Sequence, residues 1–339
     1  MKLNKLSERD RKILEVLIQS NQKSTKKILS QFLGKHYSRI LETDDYIVAE
    51  GDIPIALVAH MDTVFENSVG DRQMLYDEKF NIAFCPDGAG FDDKAGIFAI
   101  LTLIREGFKP HIIFTTDEEM GAIGASLLAK LDCPFSECKY IIQLDRRGSN
   151  DCVFYDCDNQ AFVDYVEQFG FEWNYGTFTD ISKLCPAWKI AGVNLSVGYK
   201  DEHSVSEVLF VGQLLSTIAK VRKMLQQAET APYFEYVPAK YNGYYGGWNW
   251  ETGYSSTGVL KCSHCHKYFM EEEMFPVVMQ DESTGFFCPD CLSKEAAWCT
   301  TCNSAFQKHS PEQGYVGTCP LCSDMKENKK NDKYDKRAL

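Results

Sequence analysis

Between about residues 45 and 225, short apolar runs alternate with stretches whose apolar residues recur at helical spacing. Continuous runs rich in β-branched residues, typical of strands buried on both faces, are IPIALVAH, HIIFTTDEE, KYIIQLD and AGVNLSVG. Helical spacing is found in DDKAGIFAILTLIREG, GASLLAKL and SEVLFVGQLLSTIAKVRKML. Strands that alternate with helices predict an α/β fold with a mainly parallel sheet flanked by helices.

The pattern changes after residue 227. Segment 228–260 is rich in glycine, proline and aromatic residues and has no regular period, which predicts a linker. Segment 261–323 holds closely spaced cysteines and predicts a small metal-binding module. The lysine-rich end, 324–339, has the composition of a disordered tail. Segment 1–227 is therefore expected to form the main domain.

Charge and hydropathy exclude some classes of function. A net charge of −12 argues against nonspecific nucleic-acid binding by the main domain, because phosphate contacts need clustered basic residues. The N-terminal stretch MKLNKLSERDRKILEVLIQSNQ has charges throughout and predicts an amphipathic helix rather than a signal peptide. No apolar run approaches the roughly 18 residues that would span a bilayer. We expect a soluble, cytoplasmic protein with no membrane contact.

Eight of the fourteen cysteines form four Cys-x-x-Cys pairs. These pairs are Cys262/Cys265, Cys288/Cys291, Cys299/Cys302 and Cys319/Cys322. Without a secretory signal, this pattern indicates zinc rather than disulfides, and predicts two structural zinc ions, each held by four thiolates. Sequential pairing of the knuckles and a cross-braced pairing both fit the spacing. Zinc ribbons of this kind often bind a protein or nucleic-acid partner.

Polar residues gather where the predicted elements begin or end. They are His60 and Asp62 in ALVAHMDTV, Asp92 and Asp93 in GAGFDDKAG, Glu118 and Glu119 in FTTDEEMGAIG, Asp145 in IIQLDRRG and His203 in YKDEHSVSE. Taken singly, each fits a helix cap, a turn or a hydrogen-bonded core histidine. Their shared position at the edge of one sheet favours a common site.

Two histidines, two aspartates and a glutamate are ligands that suit a pair of zinc ions, with cobalt or manganese as substitutes. In such sites one carboxylate bridges ions about 3.5–4 Å apart, and the ions activate a water molecule. A further carboxylate is needed as general base, near the water but not on the metal. The adjacent glutamates, Glu118 and Glu119, can divide these two tasks.

The ordered set His-x-Asp, Gly-x-Asp-Asp-Lys-x-Gly, Asp-Glu-Glu-x-Gly, Asp and His resembles the di-zinc exopeptidase and amidohydrolase superfamily over roughly residues 45–225. This superfamily includes glutamate carboxypeptidases, aminoacylases, tripeptidase T and aminopeptidases. The resemblance assigns metal binding to His60, Asp92, Glu119, Asp145 and His203. It makes Asp92 the bridge, Glu118 the general acid/base and Asp62 the carboxylate that orients His60. It also implies a cis peptide bond between Asp92 and Asp93.

One departure from the lidded branch of the superfamily is clear. Only residues 146–202 separate the last aspartate of the set from the last histidine, which leaves no room for the lid domain of roughly a hundred residues that those relatives insert there. The chain is more similar to the lidless aminopeptidases.

Three residues are weaker candidates for substrate contact. Arg146 could take over the contact with a substrate carboxylate that a lid would supply. Asp180 lies in GTFTDISKL, which resembles a segment near the substrate cleft of relatives. Tyr199 could donate to the oxyanion. The sequence also fits an Arg146 that is solvated or paired with a nearby acid, and a Tyr199 that only packs against its neighbours.

The function that the sequence predicts is hydrolysis of an amide bond, with an exopeptidase that removes an N-terminal residue from a peptide as the main hypothesis. One alternative is a deacylase of N-acyl amino acids or small conjugates. Another is an inactive scaffold whose zinc ribbons bind a partner. Loss of a ligand or of the base would favour the scaffold, but the sequence retains every one of them.

Overall fold

The computed structural model describes residues 5–65, 72–176, 178–239, 259–270, 273–280, 283–301, 304–308, 316–320 and 322. The chain divides into two compact units, Met1–Asn242 and Gly243–Leu339. Residues 240–258 of the expected linker, the expected tail and Cys302 lie outside the described residues.

The first unit contains seven described helices and twelve described strands. The helices are α1 (Glu8–Ile18), α2 (Gln22–Leu33), α3 (Phe91–Arg105), α4 (Ile123–Leu128), α5 (Gln160–Glu167), α6 (Ile181–Trp188) and α7 (Val211–Gln226). The strands are β1 (Arg39–Glu42), β2 (Tyr46–Glu50), β3 (Ile53–His60), β4 (Leu75–Asp77), β5 (Ile82–Phe84), β6 (Pro110–Thr115), β7 (Tyr140–Arg146), β8 (Asp151–Val153), β9 (Glu172–Trp173), β10 (Gly192–Ser196), β11 (Tyr199–Lys200) and β12 (Val208–Phe210).

Eight strands form the main sheet, in the order β1-β2-β6-β3-β7-β10-β8-β9. Its central strands β6, β3, β7 and β10 run parallel to one another. Strands β6 and β10 are buried along their whole length, as continuous apolar runs predict. The expected α/β fold with a mainly parallel sheet is confirmed. Residues 146–202 add β8, β9 and β10 to this same sheet.

A second, antiparallel sheet has the order β11-β12-β5-β4. The expectation of one long helix from Ser206 was wrong at its start, because Val208–Phe210 form strand β12 and the helix begins at Val211. The apolar triplet Val-Leu-Phe pairs with β5, and this long-range pairing overrides the helical pattern. The sheet joins the segment before Asp92 to the segments that flank His203.

The first unit extends beyond residue 227. The ammonium group of Lys139 donates hydrogen bonds to the carbonyl oxygens of Ala228 and Glu229 at 3.0 and 2.9 Å. Phe234 is buried in the core and its ring lies 4.8 Å from that of Phe162. The part of the expected linker up to residue 239 therefore packs as part of this unit, drawn in by its aromatic side chains.

The second unit is built from short elements. They are β13 (Val259–Lys261), β14 (Tyr268–Met270), β15 (Phe275–Val278), β16 (Thr284–Phe287), α8 (Pro289–Glu295), β17 (Ala296–Cys299), β18 (Ala305–Gln307) and β19 (Val316–Gly317). A two-stranded sheet joins β13 and β14, and a five-stranded sheet has the order β16-β15-β18-β17-β19. Across the described part of the chain, no helix has the length and apolar character that crossing a membrane requires.

Candidate active site

His60 lies at the centre of the cluster that the sequence predicts. It is the last residue of β3, a strand between β6 and β7, so its side chain emerges in the middle of the sheet edge. Its Nδ1 lies 3.1 Å from Asp62 Oδ1, and its Nε2 lies 3.0 Å from Asp92 Oδ1 and 3.5 Å from Asp145 Oδ1. Three carboxylates therefore surround one buried imidazole.

Asp92 stands in the irregular first turn of α3, where the Asp92–Asp93 peptide bond is cis, as the resemblance implied. The turn is crowded. Gly90 has a φ of +68°, and a Cβ there would lie 2.6 Å from Thr63 Oγ1. A Cβ on Gly96 would lie 1.9 Å from the Leu144 carbonyl oxygen. These two glycines allow the turn to approach the sheet closely enough for Asp92 to reach His60.

Asp93 faces the protein rather than the cluster. Its Oδ2 accepts the backbone N–H of His60 at 3.2 Å, and its Oδ1 accepts the N–H of Gly96 at 3.0 Å. Asp93 thus ties the start of α3 to the end of β3.

The adjacent glutamates occupy a turn after β6 and have different surroundings. Glu119 Oε2 lies 3.0 Å from His203 Nε2, whereas Glu119 Oε1 is buried and has no hydrogen-bond partner among the described residues. The backbone N–H groups of Glu118 and Glu119 donate to Asp62 Oδ1 and Oδ2, each at 3.1 Å. One carboxylate, that of Asp62, therefore holds both the imidazole of His60 and the turn that carries the glutamates.

The structure gathers the five residues that the sequence assigned to metal binding into two overlapping groups. One group is His60, Asp92 and Asp145, and the other is Asp92, Glu119 and His203. Within each group, one ligand atom per residue lies within 4.8 Å of the others. Asp92 belongs to both, since its Oδ1 faces His60 and its Oδ2 lies 3.2 Å from His203 Nε2. Glu118 belongs to neither.

The cluster carries an excess of buried negative charge. Burial disfavours the charged form of Asp92, but hydrogen bonds to His203 and His60 outweigh this and hold the pKa of Asp92 well below its usual range. Burial, followed by the charge of Asp92, raises the pKa of Asp145. Burial also raises the pKa of Glu119. These carboxylates therefore share the limited positive charge of the imidazoles of His60 and His203.

Neighbouring carboxylates raise the pKa values of both imidazoles. Burial opposes protonation of His60, yet the carboxylates of Asp145 and Asp62 raise its pKa well above the usual value. Hydrogen bonds to Asp92 and Glu119 raise the pKa of His203 to about 11. Because metal ligation requires a neutral imidazole, divalent cations would displace these protons and balance the same carboxylates. The charge of the cluster, its ligand types and the unpaired Oε1 of Glu119 all fit metal ions.

Asp145 is held by neutral donors. Thr179 Oγ1 donates to its Oδ2 at 2.8 Å, and the Tyr199 hydroxyl donates to its Oδ1 at 3.1 Å. Gln143 Nε2 donates to Asp145 Oδ2 at 3.1 Å and to Asp180 Oδ2 at 3.3 Å. The hydroxyl of Tyr199 is thus engaged with Asp145, one of the predicted ligand residues.

The other two candidates for substrate contact, Asp180 and Arg146, also have polar partners within the protein. Asp180 is fully buried, with 0% of its surface exposed, and its Oδ2 accepts a hydrogen bond from Thr115 Oγ1 at 2.7 Å. Arg146 donates to the carbonyl oxygen of Tyr175 at 2.9 Å and lies 3.8 Å from the carboxylate of Asp151. These contacts position neighbouring segments, and for Arg146 they match the local pairing that the sequence also allowed.

Sequence reasoning missed Glu207. Its buried carboxylate accepts the backbone N–H groups of Gly90 and Asp92 at 2.5 and 2.9 Å, and burial raises its pKa to about 7. Glu207 therefore links the loop of His203 to the turn of Asp92. An acidic residue four positions after the histidine in YKDEHSVSE was the available signal.

The cluster opens towards solvent at His203, whose side chain is 49% exposed. A cavity of about 690 Å³ lies there, lined by Arg147, Lys200, Asp201, Glu202, His203 and Ser204. Arg147 pairs with Glu202 across it at 2.8 Å. His203 therefore stands between the buried carboxylates and a cavity open to solvent.

In the second unit the cysteine sulfurs form two groups. One consists of Cys262, Cys265, Cys288 and Cys291, whose sulfurs lie within 4.8 Å of one another. The other described group consists of Cys299, Cys319 and Cys322. The first two knuckles thus lie together, as in the sequential pairing and unlike a cross-braced one. Each group is a candidate metal site.

Comparison with protein-family models gives no match for this chain, and neither does comparison with curated protein sequences. Solved structures do match. Aminopeptidase PepT from Bacillus cereus gives a TM-score of 0.52 at 15% identity, over 66% of this chain and 98% of that one. A tripeptidase from Staphylococcus aureus gives 0.53 at 12% identity, over 66% and 98%. A TET aminopeptidase from a marine sediment archaeon of the Thaumarchaeota gives 0.52 at 12% identity, over 66% and 99%. The matched two thirds of the chain therefore have the fold of these peptidases.

Proposed function

We propose that the first unit is a metal-dependent hydrolase of peptide bonds, and specifically an exopeptidase that removes the N-terminal residue of a peptide. The position of Asp92 carries this proposal. Its two carboxylate oxygens face two different groups of ligand residues, and Glu118, the neighbour of Glu119 in the turn after β6, belongs to neither group. This is the arrangement that two-metal hydrolysis of an amide requires. The peptidase fold of the matched structures supports it.

The five ligand residues fit two divalent ions. His60 and Asp145 would hold one ion, Glu119 and His203 the other, and Asp92 would bridge them. We propose zinc, since carboxylates and imidazoles are among its preferred ligands, with cobalt or manganese as substitutes. When bound, the ions supply an activated water and stabilise negative charge on the carbonyl oxygen of the substrate.

Glu118 is proposed as the group that moves protons. It takes a proton from the attacking water and passes it to the nitrogen of the leaving amine. Burial, reinforced by the charges of Asp145 and Asp180, raises the pKa of Glu118 well above its usual value. A carboxylate with a raised pKa binds a proton more strongly, which suits the first half of this task, the removal of a proton from water.

Asp62 is proposed to act through its neighbours rather than on the substrate. It fixes the His60 ring from the nitrogen that faces away from the metal positions, and it fixes the backbone of both glutamates. Thr179 and Tyr199 act on Asp145 in the same way. Such supporting contacts are worth about 10–100-fold in metal affinity.

For the second unit we propose two structural zinc ions, one held by Cys262, Cys265, Cys288 and Cys291 and the other by Cys299, Cys302, Cys319 and Cys322. The described residues of this unit include seven buried apolar side chains besides the cysteines, a small core, so the ions would supply much of its folding free energy. We further propose that it binds a protein or nucleic-acid partner. Thiolate sites of this kind suit the reducing cytoplasm, where we place the protein.

The test is a substrate screen with the full-length protein loaded with zinc or cobalt. We expect release of the chromophore from aminoacyl p-nitroanilides and of the first residue from short peptides. N-acyl amino acids are offered in parallel, and the Glu118→Gln variant is the inactive control. Turnover of N-acyl amino acids alone would replace the exopeptidase by a deacylase. If the metal-loaded protein turns over neither class, the proposal fails.

A further inference from the structure

We infer that Gln22, on the N-terminal helix α2, is a positioning residue of the active site that holds the turn carrying Glu118 and Glu119. The inference rests on the proposed function, because it assigns a role toward those two glutamates. Gln22 lies 95 residues before Asp117, the first residue of that turn, and no feature of the sequence links the two.

Two hydrogen bonds join Gln22 to Asp117 in both directions. Gln22 Nε2 donates to Asp117 Oδ1 at 2.9 Å, and the Asp117 N–H donates to Gln22 Oε1 at 2.9 Å. The side-chain amide thus pairs with the backbone and the carboxylate of one residue. Such a two-point contact fixes orientation as well as distance.

The contact completes a set of three. The successive backbone N–H groups of Asp117, Glu118 and Glu119 donate to Gln22 Oε1, Asp62 Oδ1 and Asp62 Oδ2. None of the three acceptors belongs to the turn itself. Asp117 also has a positive φ of 53°, a conformation that few residues adopt without outside support. The direction of both glutamate side chains therefore depends on Gln22 as well as on Asp62.

Helix α2 is itself anchored to the motif that contains Asp92. Lys94, two residues after Asp92, donates from its buried ammonium group to Thr25 Oγ1 at 3.1 Å. Asn21 caps the helix by accepting the N–H of Ser24 at 2.9 Å. One short helix therefore contacts the segments that supply two ligand residues and the general base.

The experiment compares Gln22→Ala with Asn21→Ala. The second variant removes the helix cap, which is worth about 1 kcal/mol, and leaves the contact with Asp117 in place. For each variant of the full chain we measure the thermal unfolding midpoint, kcat and KM on a peptide substrate, and zinc affinity by competition with a chelator.

We expect Gln22→Ala to lower kcat by about 10–100-fold, with KM changed by less than about 3-fold. We also expect it to lower the affinity for one of the two zinc ions proposed for the first unit by about 10-fold, because Glu119 loses its orientation. Asn21→Ala should lower only the unfolding midpoint. Equal effects of both variants on kcat and zinc affinity, or no effect of Gln22→Ala on either, would overturn the inference. Zinc competition needs no substrate, so it tests Gln22 even if no peptide is cleaved.

A polarity swap gives a second, independent readout. Gln22→Glu alone places two carboxylates against each other, and it should impair zinc affinity as much as Gln22→Ala. Adding Asp117→Asn lets the new amide donate to the new carboxylate, and asparagine tolerates the positive φ. We expect the double variant to recover most of the zinc affinity. A folded double variant that recovers none would show that the contact does not position the turn.

Discussion

Asp62 Oδ1 lies 3.1 Å from His60 Nδ1, and the same carboxylate accepts the backbone N–H groups of Glu118 and Glu119. The side chain of Asp62 therefore helps to fix the positions of both a proposed ligand, His60, and the proposed base, Glu118. We predict that Asp62→Ala weakens metal binding by about 10–100-fold and lowers kcat as well. Chelator competition measures the first effect and peptide hydrolysis the second.

Asp87→Ala is the control for this variant, because Asp87 is an exposed carboxylate on the loop ahead of the site. It should leave metal affinity and kcat near those of the unmodified chain. Unchanged metal affinity in Asp62→Ala would contradict the role given to Asp62.

Glu118→Gln keeps the shape of the side chain and removes the carboxylate that accepts the proton. We predict that kcat falls by about 10²–10⁴-fold while the metal content stays the same. Steady-state kinetics and metal analysis of the same preparation check the two halves of this prediction.

Glu119→Gln is expected to fail differently, since Glu119 lies 3.0 Å from His203 in one of the two ligand groups. One ion should bind more weakly, and activity should return in part when excess zinc is added. If metal is lost from Glu118→Gln and retained by Glu119→Gln, the two glutamates have been assigned the wrong way round.

Gly96→Ala tests the close approach of α3 to the sheet. A Cβ there would lie 1.9 Å from the Leu144 carbonyl oxygen, so the helix must move. We predict a loss of about 2–3 kcal/mol in the free energy of unfolding. Gly212→Ala is the matched control in α7, where the nearest atom would be 3.4 Å away. It should change the free energy of unfolding by no more than about 1 kcal/mol. Chemical denaturation compares the two, and equal destabilisation would refute the steric explanation.

Metal removal should distinguish the proposed catalytic ions of the first unit from the proposed structural ions of the second. The four candidate groups predict four zinc ions per fully loaded chain, two in the first unit and two in the second. Mild chelation should remove the first pair and abolish activity, whereas the thiolate-bound pair should stay. Elemental analysis before and after dialysis measures both. Two ions in total, both resistant to chelation, would instead favour the inactive scaffold.

Much of the main sheet could be predicted because its strands are continuous apolar runs, and such runs are recognisable without knowing their partners. The proposed ligand residues could be recognised because they lie at the ends of predicted elements, as His60 ends β3 and Glu119 lies in the turn after β6. The short strand β12 could not, since three apolar residues before a helix fit either structure until β5 is known to pair with them.

The supporting contacts of Gln22 and Glu207 could not be predicted from the sequence for a related reason. Gln22 and Glu207 act through hydrogen bonds to backbone N–H groups 95 and 115 or more residues away, and a backbone group leaves no mark in the sequence. The hydrogen bonds of Tyr199 to Asp145 and of Thr115 to Asp180 were equally hidden, because sequence does not show which way a side chain turns at a strand or helix end.

The small antiparallel sheet has a consequence for the order in which the protein is synthesised. Its strands β11 and β12 flank His203 and Glu207, and they are made more than a hundred residues after β5, which precedes Asp92. A nascent chain that has reached residue 150 already contains His60, Asp92 and Asp145, but it lacks His203 and Glu207. During translation, the proposed paired-metal site therefore cannot be complete before the loop of His203 has emerged from the ribosome and β12 has paired with β5.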